Sequence, residues 1–335
     1  MQVYDMNIPT NSGAMESVAE GEGGKFVDPD RTLRGELRAT VGLKQLDTLW
    51  INTGSLCNIT CVNCYIESSP TNDRLSYISA AEAHDFFVEA KAAGTREIGF
   101  TGGEPFLNPD FVAMLDDALT MGFEVLILTN AMQPMLRANI KTKLLELNAR
   151  FCGKLTMRVS LDHFTEALHE AERGERTWNK TLEGIDWLAA NGFRLAIAGR
   201  TCWGQTEQET RAGYAALYRD RGWPIDAVNP METVLFPEMD GRHDVPEITI
   251  GCWSILGKSP DMMMCATSRM VVKRKGAQQP AVLPCTLLPY EPAFEMGATL
   301  AEAGRADGGM FAEGVVKLCH PHCAKFCVLG GGSCS

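Results

Sequence analysis

Apolar residues recur along the middle of the chain in two alternating patterns. Short apolar runs predict buried strands, and segments with apolar positions three or four residues apart predict helices. Capping residues and glycines mark the helix ends, for example the capping-box pair Ser79 and Glu82 and the stop at Gly94. The predicted strands span residues 49–52, 97–100, 124–129, 155–161, 193–199 and 225–231. The predicted helices span residues 79–93, 109–121, 133–148, 177–191 and 206–221.

This alternation predicts an α/β fold built on a parallel sheet with right-handed crossovers. In such sheets the functional side chains lie in the loops after the carboxyl ends of the strands. Residues 1–45 show no sustained period, so we expect a loosely ordered lead-in with one short helix near residues 33–40. The alternating region is assigned to residues 46–236, and a cysteine-rich C-terminal domain to residues 237–335.

The bulk properties narrow the functional classes. The chain has 335 residues, of which 45% are hydrophobic and 22% are charged, which is enough for a large core. Its net charge of -11 argues against a general nucleic-acid binder, which needs a basic surface. The first residues lack the features of a secretion signal, and no apolar run is long enough to span a membrane. We therefore expect a cytoplasmic protein without nucleic-acid or membrane partners.

Cysteine is unusually frequent for a cytosolic chain. There are twelve cysteines, and seven of them follow residue 236. Without a secretion signal, metal ligation or redox chemistry explains them better than a disulfide framework, which is the alternative for a secreted protein. The segment after residue 236 buries little apolar surface by itself, so bound metal is a natural way to order it.

Three cysteines stand close together directly after the first predicted strand. Cys57, Cys61 and Cys64 have the spacing CxxxCxxC, which lets three thiolates converge on one small object. A 4Fe–4S cluster normally takes four thiolates, so three would leave one iron open to a reacting ligand. A zinc site and three ordinary buried thiols are the alternatives that this spacing leaves open.

A Gly–Gly–Glu–Pro segment follows the second predicted strand. Gly102 and Gly103 would let the backbone approach a ligand closely, and the carboxylate of Glu104, which precedes Pro105, could contact an ammonium group. By itself this tetrapeptide could also be an ordinary turn. Its position at a strand end, some forty residues after the cysteine loop, makes it a candidate for ligand binding.

The later strand ends add further polar residues. They are Thr129, Asn130, Ser160, Asp162 and Arg200. Arg173 follows Asp162 in a Glu–Arg–Gly stretch. The planar guanidinium of Arg173 could bind both oxygens of a carboxylate, although a surface ion pair is the alternative. Asp162 could instead cap the segment that follows it.

The cysteine loop and the Gly–Gly–Glu–Pro segment together resemble the radical S-adenosylmethionine (SAM) superfamily over about residues 49–231. The resemblance implies a partial (β/α)6 TIM-type barrel with a 4Fe–4S cluster on Cys57, Cys61 and Cys64. It also implies that SAM binds the open iron through its amino and carboxylate groups and is cleaved reductively to a 5′-deoxyadenosyl radical. Asn63 departs from the family pattern, which usually has an aromatic residue or His before the third cysteine.

The same resemblance implies SAM contacts at the strand ends. Segment 102–105 is expected at the methionine end of SAM, and Ser160 and Arg173 at its ribose and carboxylate. The cysteines of the loop are the expected catalytic residues. The expected cofactor-binding residues are Gly102, Gly103, Glu104, Pro105, Thr129, Asn130, Ser160, Asp162, Arg173 and Arg200.

The C-terminal cysteines resemble the twitch and SPASM-type extensions of this superfamily. Cys265 and Cys285 flank a predicted β-hairpin, and a later segment adds Cys319, Cys323 and Cys327. The resemblance implies an auxiliary 4Fe–4S cluster on Cys265, Cys285, Cys319 and Cys323, with Cys327 as the main rival. A second auxiliary cluster with Cys252 or Cys334, and a zinc site that uses His320 and His322, are the alternatives.

The resemblance implies an enzyme that takes hydrogen from a small molecule or a short peptide and modifies it oxidatively with the help of the auxiliary cluster. The short lead-in slightly favours a small molecule. A flavodoxin- or ferredoxin-type protein is the expected electron donor. The alternative class is non-catalytic, either an iron–sulfur electron carrier or a zinc-stabilised interaction protein.

Overall fold

Six neighbouring parallel strands form the centre of the molecule. The structure, a computed structural model, describes residues 24–237 and 244–330. The strands are β1 Thr40–Val41, β2 Thr48–Asn52, β3 Glu97–Thr101, β4 Glu124–Thr129, β5 Leu155–Ser160, β6 Arg194–Arg200, β7 Thr233–Phe236, β8 Ser268–Val272, β9 Ala281–Leu283, β10 Phe311–Ala312 and β11 Val315–Lys317. The large sheet has the order β7-β6-β5-β4-β3-β2-β8-β9. Strands β2 to β7 pair in parallel, which confirms the partial α/β barrel.

Among the described residues, seven helices connect the successive parallel strands, and two further helices lie in the cysteine-rich tail. They are α1 Ala80–Ala92, α2 Phe111–Thr120, α3 Gln133–Leu136, α4 Ala138–Arg150, α5 Glu166–Arg173, α6 Trp178–Ala190, α7 Glu207–Arg221, α8 Cys252–Leu256 and α9 Leu300–Ala303. Both predicted capping boxes are present, at Ser79 with Glu82 and at Thr206 with Glu209. No described helix has the length and apolar character needed to cross a membrane.

The core lies between the sheet and these helices. Phe100 on β3 meets Phe111 of α2 edge to face with 5.2 Å between ring centroids, and Phe87 of α1 packs on the same ring. Gly99 makes room for the buried Trp50 of the neighbouring strand, because a Cβ at Gly99 would lie 2.5 Å from the indole. Large aromatic side chains therefore fix the β2–β3 pair, from whose ends the cysteine loop and the Gly–Gly–Glu–Pro segment emerge.

The cysteine-rich tail is joined to this sheet. Strands β8 and β9 form the predicted hairpin, with Met270 opposite Leu283. Strand β8 also pairs in parallel with β2, with Trp50 opposite Met270. A small sheet of order β1-β11-β10 ties the lead-in to the tail. The hairpin thus extends the barrel on the side where the cysteine loop begins.

In the barrel region two predicted elements are wrong or displaced, and one helix was not expected. The strand predicted at residues 225–231 is absent, and β7 lies two residues beyond it, because Asn229 and Asp226 hydrogen-bond with Glu232 and fold the segment into turns. The helix predicted at residues 133–148 is broken at Arg137, whose ψ of 138° is extended. Helix α5 was not predicted.

The short helix predicted near residues 33–40 is also wrong. The backbone of this segment is used by other parts of the chain, since Ala39 donates to the carbonyl of Ile248 and accepts from Leu318. The buried Arg38 pairs with Glu247 at 2.7 Å. Hydrogen bonds to the tail therefore replace the local bonds that a helix would need.

Candidate cofactor and substrate site

A cavity opens at the carboxyl ends of the parallel strands, where the sequence predicted the functional residues. Its polar wall comes from the cysteine loop and from the ends of β3, β4, β5 and β6. Its apolar wall comes from the end of β7 and from the cysteine-rich tail. The predicted residues that line it are Cys57, Cys61, Cys64, Gly102, Gly103, Thr129, Asn130, Ser160, Asp162, Arg173 and Arg200. The arrangement brings the three loop cysteines together with most of the expected cofactor contacts.

Hydrogen-bond donors from three different elements face the loop cysteines. The backbone N–H of Ser68 lies 3.3 Å from the sulfur of Cys64. The amide nitrogen of Asn130 lies 3.8 Å from the sulfur of Cys57, and Nη1 of Arg173 lies 3.8 Å from that of Cys61. Donors placed around sulfur are a way in which proteins stabilise iron–sulfur clusters and tune their potentials. The set therefore fits the thiolates of a cluster.

Burial favours the protonated form of two of the loop thiols in the absence of metal. It raises the pKa of Cys57 to about 12 and that of Cys61 to about 11. Glu104 adds to the shift at Cys57, whereas Arg173 opposes the shift at Cys61. Because metal ligands must be deprotonated, metal binding at this loop would release protons.

Two glycines form a cradle beside the cysteine loop. Gly102 has φ of +143°, a backbone conformation that residues with a side chain rarely adopt. A Cβ there would lie 2.6 Å from the carbonyl oxygen of Gly54. A Cβ at Gly103 would lie 1.9 Å from the carbonyl oxygen of Leu56. The backbone N–H groups of Gly103 and Glu104 donate to the carbonyls of Gly54 and Leu56. The segment is therefore locked against the residues that lead into Cys57.

Glu104 points away from this cradle toward the next strand end. Its carboxylate accepts hydrogen bonds from the hydroxyl of Thr129 at 2.8 Å and from the backbone N–H of Asn130 at 2.9 Å. Burial raises its pKa to about 7, against these hydrogen bonds. Among the described residues that line the cavity, neither Glu104 nor Pro105 appears. In this structure Glu104 positions Thr129 and Asn130, which differs from the expected contact with an ammonium group.

Two buried ion pairs lie at the cavity wall next to the cysteine loop. Asp162 holds Nε of Arg173 at 2.6 Å, and Glu172 pairs with Nη1 of Arg200. Burial acts to lower the pKa of Arg173, but Asp162 together with Cys61 and Cys57 outweighs burial, and the pKa is raised. Each guanidinium is thus fixed by its own carboxylate at the cavity wall.

Glu172 is a site residue that the sequence analysis missed. Its carboxylate accepts from the backbone N–H of Asn63 at 2.9 Å and from the Asn63 side chain at 3.1 Å. It therefore links Arg200 to the cysteine loop. The signal was present in Asn63, the residue that departs from the family pattern, because an amide in place of an aromatic ring needs a polar partner when half-buried.

We expect the substitution Asp162→Asn to lower the free energy of unfolding by about 3 kcal/mol, because it leaves the charge of Arg173 buried without its partner. The side chains of Arg173 and Asp162 are only 14% and 6% exposed. Urea unfolding of the variant measures the loss. The matched control is Asp73→Asn, whose pair with Lys275 is 55% and 65% exposed and should contribute less than about 1 kcal/mol. Equal losses of unfolding free energy in the two variants would contradict the stabilising role of the buried Asp162–Arg173 pair.

The tail cysteines divide into two environments. Cys323 is buried, and burial is the main reason why the pKa of its thiol is raised. Neighbouring cysteines raise it further, and their effects decrease in the order Cys285, Cys327, Cys265 and Cys319. Cys319 instead directs its sulfur to the backbone carbonyl of Asp28 at 3.4 Å. Burial raises the pKa of Cys319, and the strongest of the charges that act on it is Arg38. The geometry therefore favours Cys327 over Cys319 beside Cys323.

The tail cysteines lie directly behind the apolar wall of the cavity. The wall residues Met264 and Phe326 are sequence neighbours of Cys265 and Cys327, and Leu287 is two residues from Cys285. A helix of π type spans Cys323–Leu329 and carries both Cys323 and Cys327. Cys334, an alternative ligand, lies outside the described residues. The segments that carry these cysteines therefore also contribute side chains to the cavity wall.

No disulfide joins any two of the described cysteines. Within the described parts of the chain, no three His, Cys, Asp or Glu side chains are arranged to hold a single metal ion. That arrangement is the one that zinc requires, with sulfurs about 2.3 Å from one centre. A 4Fe–4S cube instead binds each thiolate through a different iron.

Part of the chain matches a known protein family. Residues 51–209 match the protein family described as the Radical SAM superfamily. The chain is 27% identical over 143 residues to the antilisterial bacteriocin subtilosin biosynthesis protein AlbA of Bacillus subtilis, which covers 42% of this chain and 30% of AlbA. It is 29% identical over 139 residues to the mycofactocin maturase MftC of Mycobacterium ulcerans, which covers 41% of this chain and 35% of MftC. The chain thus spans about a third of each of these relatives.

Solved structures share the fold. The crystal structure of Streptococcus suis SuiB bound to S-adenosylmethionine has a TM-score of 0.57 at 14% identity, covering 79% of this chain and 66% of SuiB. Native anSMEcpe with bound AdoMet has a TM-score of 0.55 at 14% identity, covering 78% of this chain and 80% of that protein. Each likeness extends over more of the chain than the barrel region of residues 46–236 alone.

Proposed function

We propose that this chain, which belongs to the radical SAM superfamily, reductively cleaves SAM at a 4Fe–4S cluster held by Cys57, Cys61 and Cys64 and takes hydrogen from a bound substrate. The observation that carries this proposal is that the three thiols and the Gly102–Gly103 cradle line the same cavity. The cluster and SAM, when bound, supply a hydrogen-abstracting 5′-deoxyadenosyl radical. The remaining chemistry is the work of the residues around them.

The polar wall is suited to hold SAM. Gly102 and Gly103 present backbone at close range to the methionine end, and Ser160 offers a hydroxyl at the end of β5. Arg173, oriented by Asp162, offers a guanidinium to a carboxylate. Thr129 and Asn130 are fixed by Glu104, so their contacts with SAM need little reorganisation.

The apolar wall indicates where the substrate binds. Phe236, Pro237, Met264, Leu287 and Phe326 face the cavity across from the polar wall. Arg200 uses Nη1 for Glu172, and among the described residues its buried Nη2 has no hydrogen-bond partner. A group with an apolar side chain next to a carbonyl or carboxylate oxygen would satisfy both features.

We infer that the substrate is a short peptide or a small molecule of amino-acid type that is modified oxidatively. Two structures of similar fold support a peptide substrate. SuiB has been crystallised with precursor peptide SuiA, and anSMEcpe has a structure with bound AdoMet and a Cp18Cys peptide.

We also propose an auxiliary 4Fe–4S cluster on Cys265, Cys285, Cys323 and Cys327. Soft thiolates suit iron–sulfur clusters, and the four lie behind the substrate wall, where a cluster could accept an electron from a substrate radical. The donor of the first electron is proposed to be a flavodoxin- or ferredoxin-type protein. Val62, between Cys61 and Asn63, is 72% exposed, so the cysteine loop reaches the surface where a donor could approach. A reducing, cytoplasmic location agrees with this chemistry.

The ligand assignment makes a direct prediction for iron content. We expect Cys327→Ser to lower the iron bound per chain by about three to four, because an auxiliary cluster would lose one of its four thiolates. Cys319→Ser, the matched control, should leave the iron content unchanged, since its sulfur is directed to Asp28. Iron and sulfide analysis of anaerobically purified protein measures both. The reverse result would assign Cys319 and exclude Cys327.

The experiment that tests the proposed function is SAM cleavage. Anaerobically reconstituted protein is reduced with dithionite in the presence of SAM, and 5′-deoxyadenosine and methionine are quantified by chromatography. Formation of both products that depends on the reductant supports the proposal. Iron-loaded protein that binds SAM but never yields 5′-deoxyadenosine would overturn it and favour an electron carrier.

A further inference from the structure

Arg269 is a fully buried cation in the middle of the extended sheet. It lies on β8, between β2 and β9, and is 2% exposed. The ion pairs among the described residues do not include it. Arg269 does not line the cavity, so it has no part in the SAM and substrate site described above.

The contacts of Arg269 lead to the cysteine-rich tail. Its Nη1 donates to the backbone carbonyls of Cys265 and Ser268, each at 2.7 Å. Its Nη2 is buried and has no hydrogen-bond partner among the described residues. The ionisable groups that act on the guanidinium when they are deprotonated are the cysteines Cys265 and Cys285.

This arrangement needs an anion. A guanidinium does not lose its proton in a protein, and an isolated buried charge is strongly unfavourable. The two backbone carbonyls accept hydrogen bonds from Arg269, but they are neutral. Unlike a carboxylate, they leave the charge of the guanidinium uncompensated. Two cysteines act on the guanidinium electrostatically, Cys265, whose carbonyl accepts from Arg269, and Cys285, and cysteines become thiolates when they bind iron.

We propose that Arg269 is the counter-cation of the auxiliary cluster and raises its reduction potential. The inference rests on the auxiliary cluster in the proposed function, but not on SAM cleavage. A 4Fe–4S cube with four thiolates is anionic and gains one more negative charge on reduction, so a buried cation beside two of its ligands stabilises the reduced form more than the oxidised form. Arg269 is thus a positioning and charge-balancing residue that tunes how readily the cluster accepts an electron.

The test is a redox titration of the auxiliary cluster alone. The full chain carrying Cys57→Ala, Cys61→Ala and Cys64→Ala is compared with the same chain carrying Arg269→Met or Arg269→Lys in addition. Electron paramagnetic resonance follows the reduced cluster as the potential is stepped. We expect Arg269→Met to lower the equilibrium constant for reduction by at least about tenfold, equivalent to about 59 mV for one electron. Arg269→Lys, which keeps the charge, should recover most of this change.

Lys143→Met is the control for total charge, because it also removes one positive charge but at an exposed helix position. It should leave the potential unchanged. An Arg269→Met chain that keeps its iron and its potential would overturn the inference. Loss of iron from both the Met and the Lys variants would also overturn it, by showing that Arg269 holds the fold rather than the charge. Zinc instead of iron in the parent tail would remove the inference and leave SAM cleavage at the loop cluster untouched.

Discussion

Replacing Cys57, Cys61 and Cys64 together by alanine is expected to remove about four of about eight irons per chain and to abolish SAM cleavage. The three thiols line one cavity, and donors from Ser68 and Asn130 already face two of the sulfurs. Without the three thiols the loop holds no cluster, and SAM has no open iron to bind. Iron and sulfide analysis, with 5′-deoxyadenosine measured in parallel, gives both values.

The control for this variant is Cys152→Ala, because Cys152 is exposed and lies outside the described cavity lining. It should keep all of its iron and its cleavage activity. About four irons in the parent and none in the triple variant would retain the loop cluster but leave the tail with zinc or without metal. Zinc with negligible iron in both proteins would rule out a radical SAM enzyme.

The second large effect is expected from Gly103→Ala, which should weaken SAM binding at least about 100-fold. The new methyl group would lie 1.9 Å from the carbonyl oxygen of Leu56, which is backbone and directly precedes Cys57. Overpacking of this kind forces backbone to move, and here the movement shifts both the cradle and the first cluster cysteine. Equilibrium binding of SAM to the reconstituted protein without reductant measures the loss separately from the chemistry.

Gly42→Ala is the matched control for the loss of glycine. A Cβ at Gly42 would make only an ordinary contact, at 3.9 Å from Val315, and no positive φ is involved. Its SAM affinity should equal that of the parent protein. If Gly103→Ala binds SAM within about threefold of the parent, the close packing of the cradle has no functional role.

Much of the fold could be predicted because each local signal agreed with the next. The β-strand at residues 124–129 and the capping boxes at Ser79 and Thr206 are local features, and the structure confirms them. The prediction of a strand at residues 225–231 failed because this segment follows Pro224 and is interrupted by Pro230 and the turn-forming Asn229. The turn chemistry outweighed the apolar pattern there.

The candidate site was predictable to the extent that it follows strand ends. Ser160, Asp162 and Arg200 meet at the cavity because parallel strands bring their carboxyl ends to one edge. The direction of a side chain was not predictable, so Glu104 was expected at the cofactor but faces Thr129. The choice between Cys319 and Cys327 depends on the contact of Cys319 with Asp28, which is 291 residues away in sequence and has no local signal.

The pairing of β8 with β2 has a consequence for shortened forms of this protein. In a chain that ended at residue 236, β2 would become an edge strand, with the unpaired backbone of Leu49 to Ile51 open to other molecules. Exposed edges of apolar strands pair with one another and promote aggregation. The tail therefore acts as a shield against self-association as well as a site for cysteines, and a barrel fragment prepared without it should form soluble oligomers or precipitate.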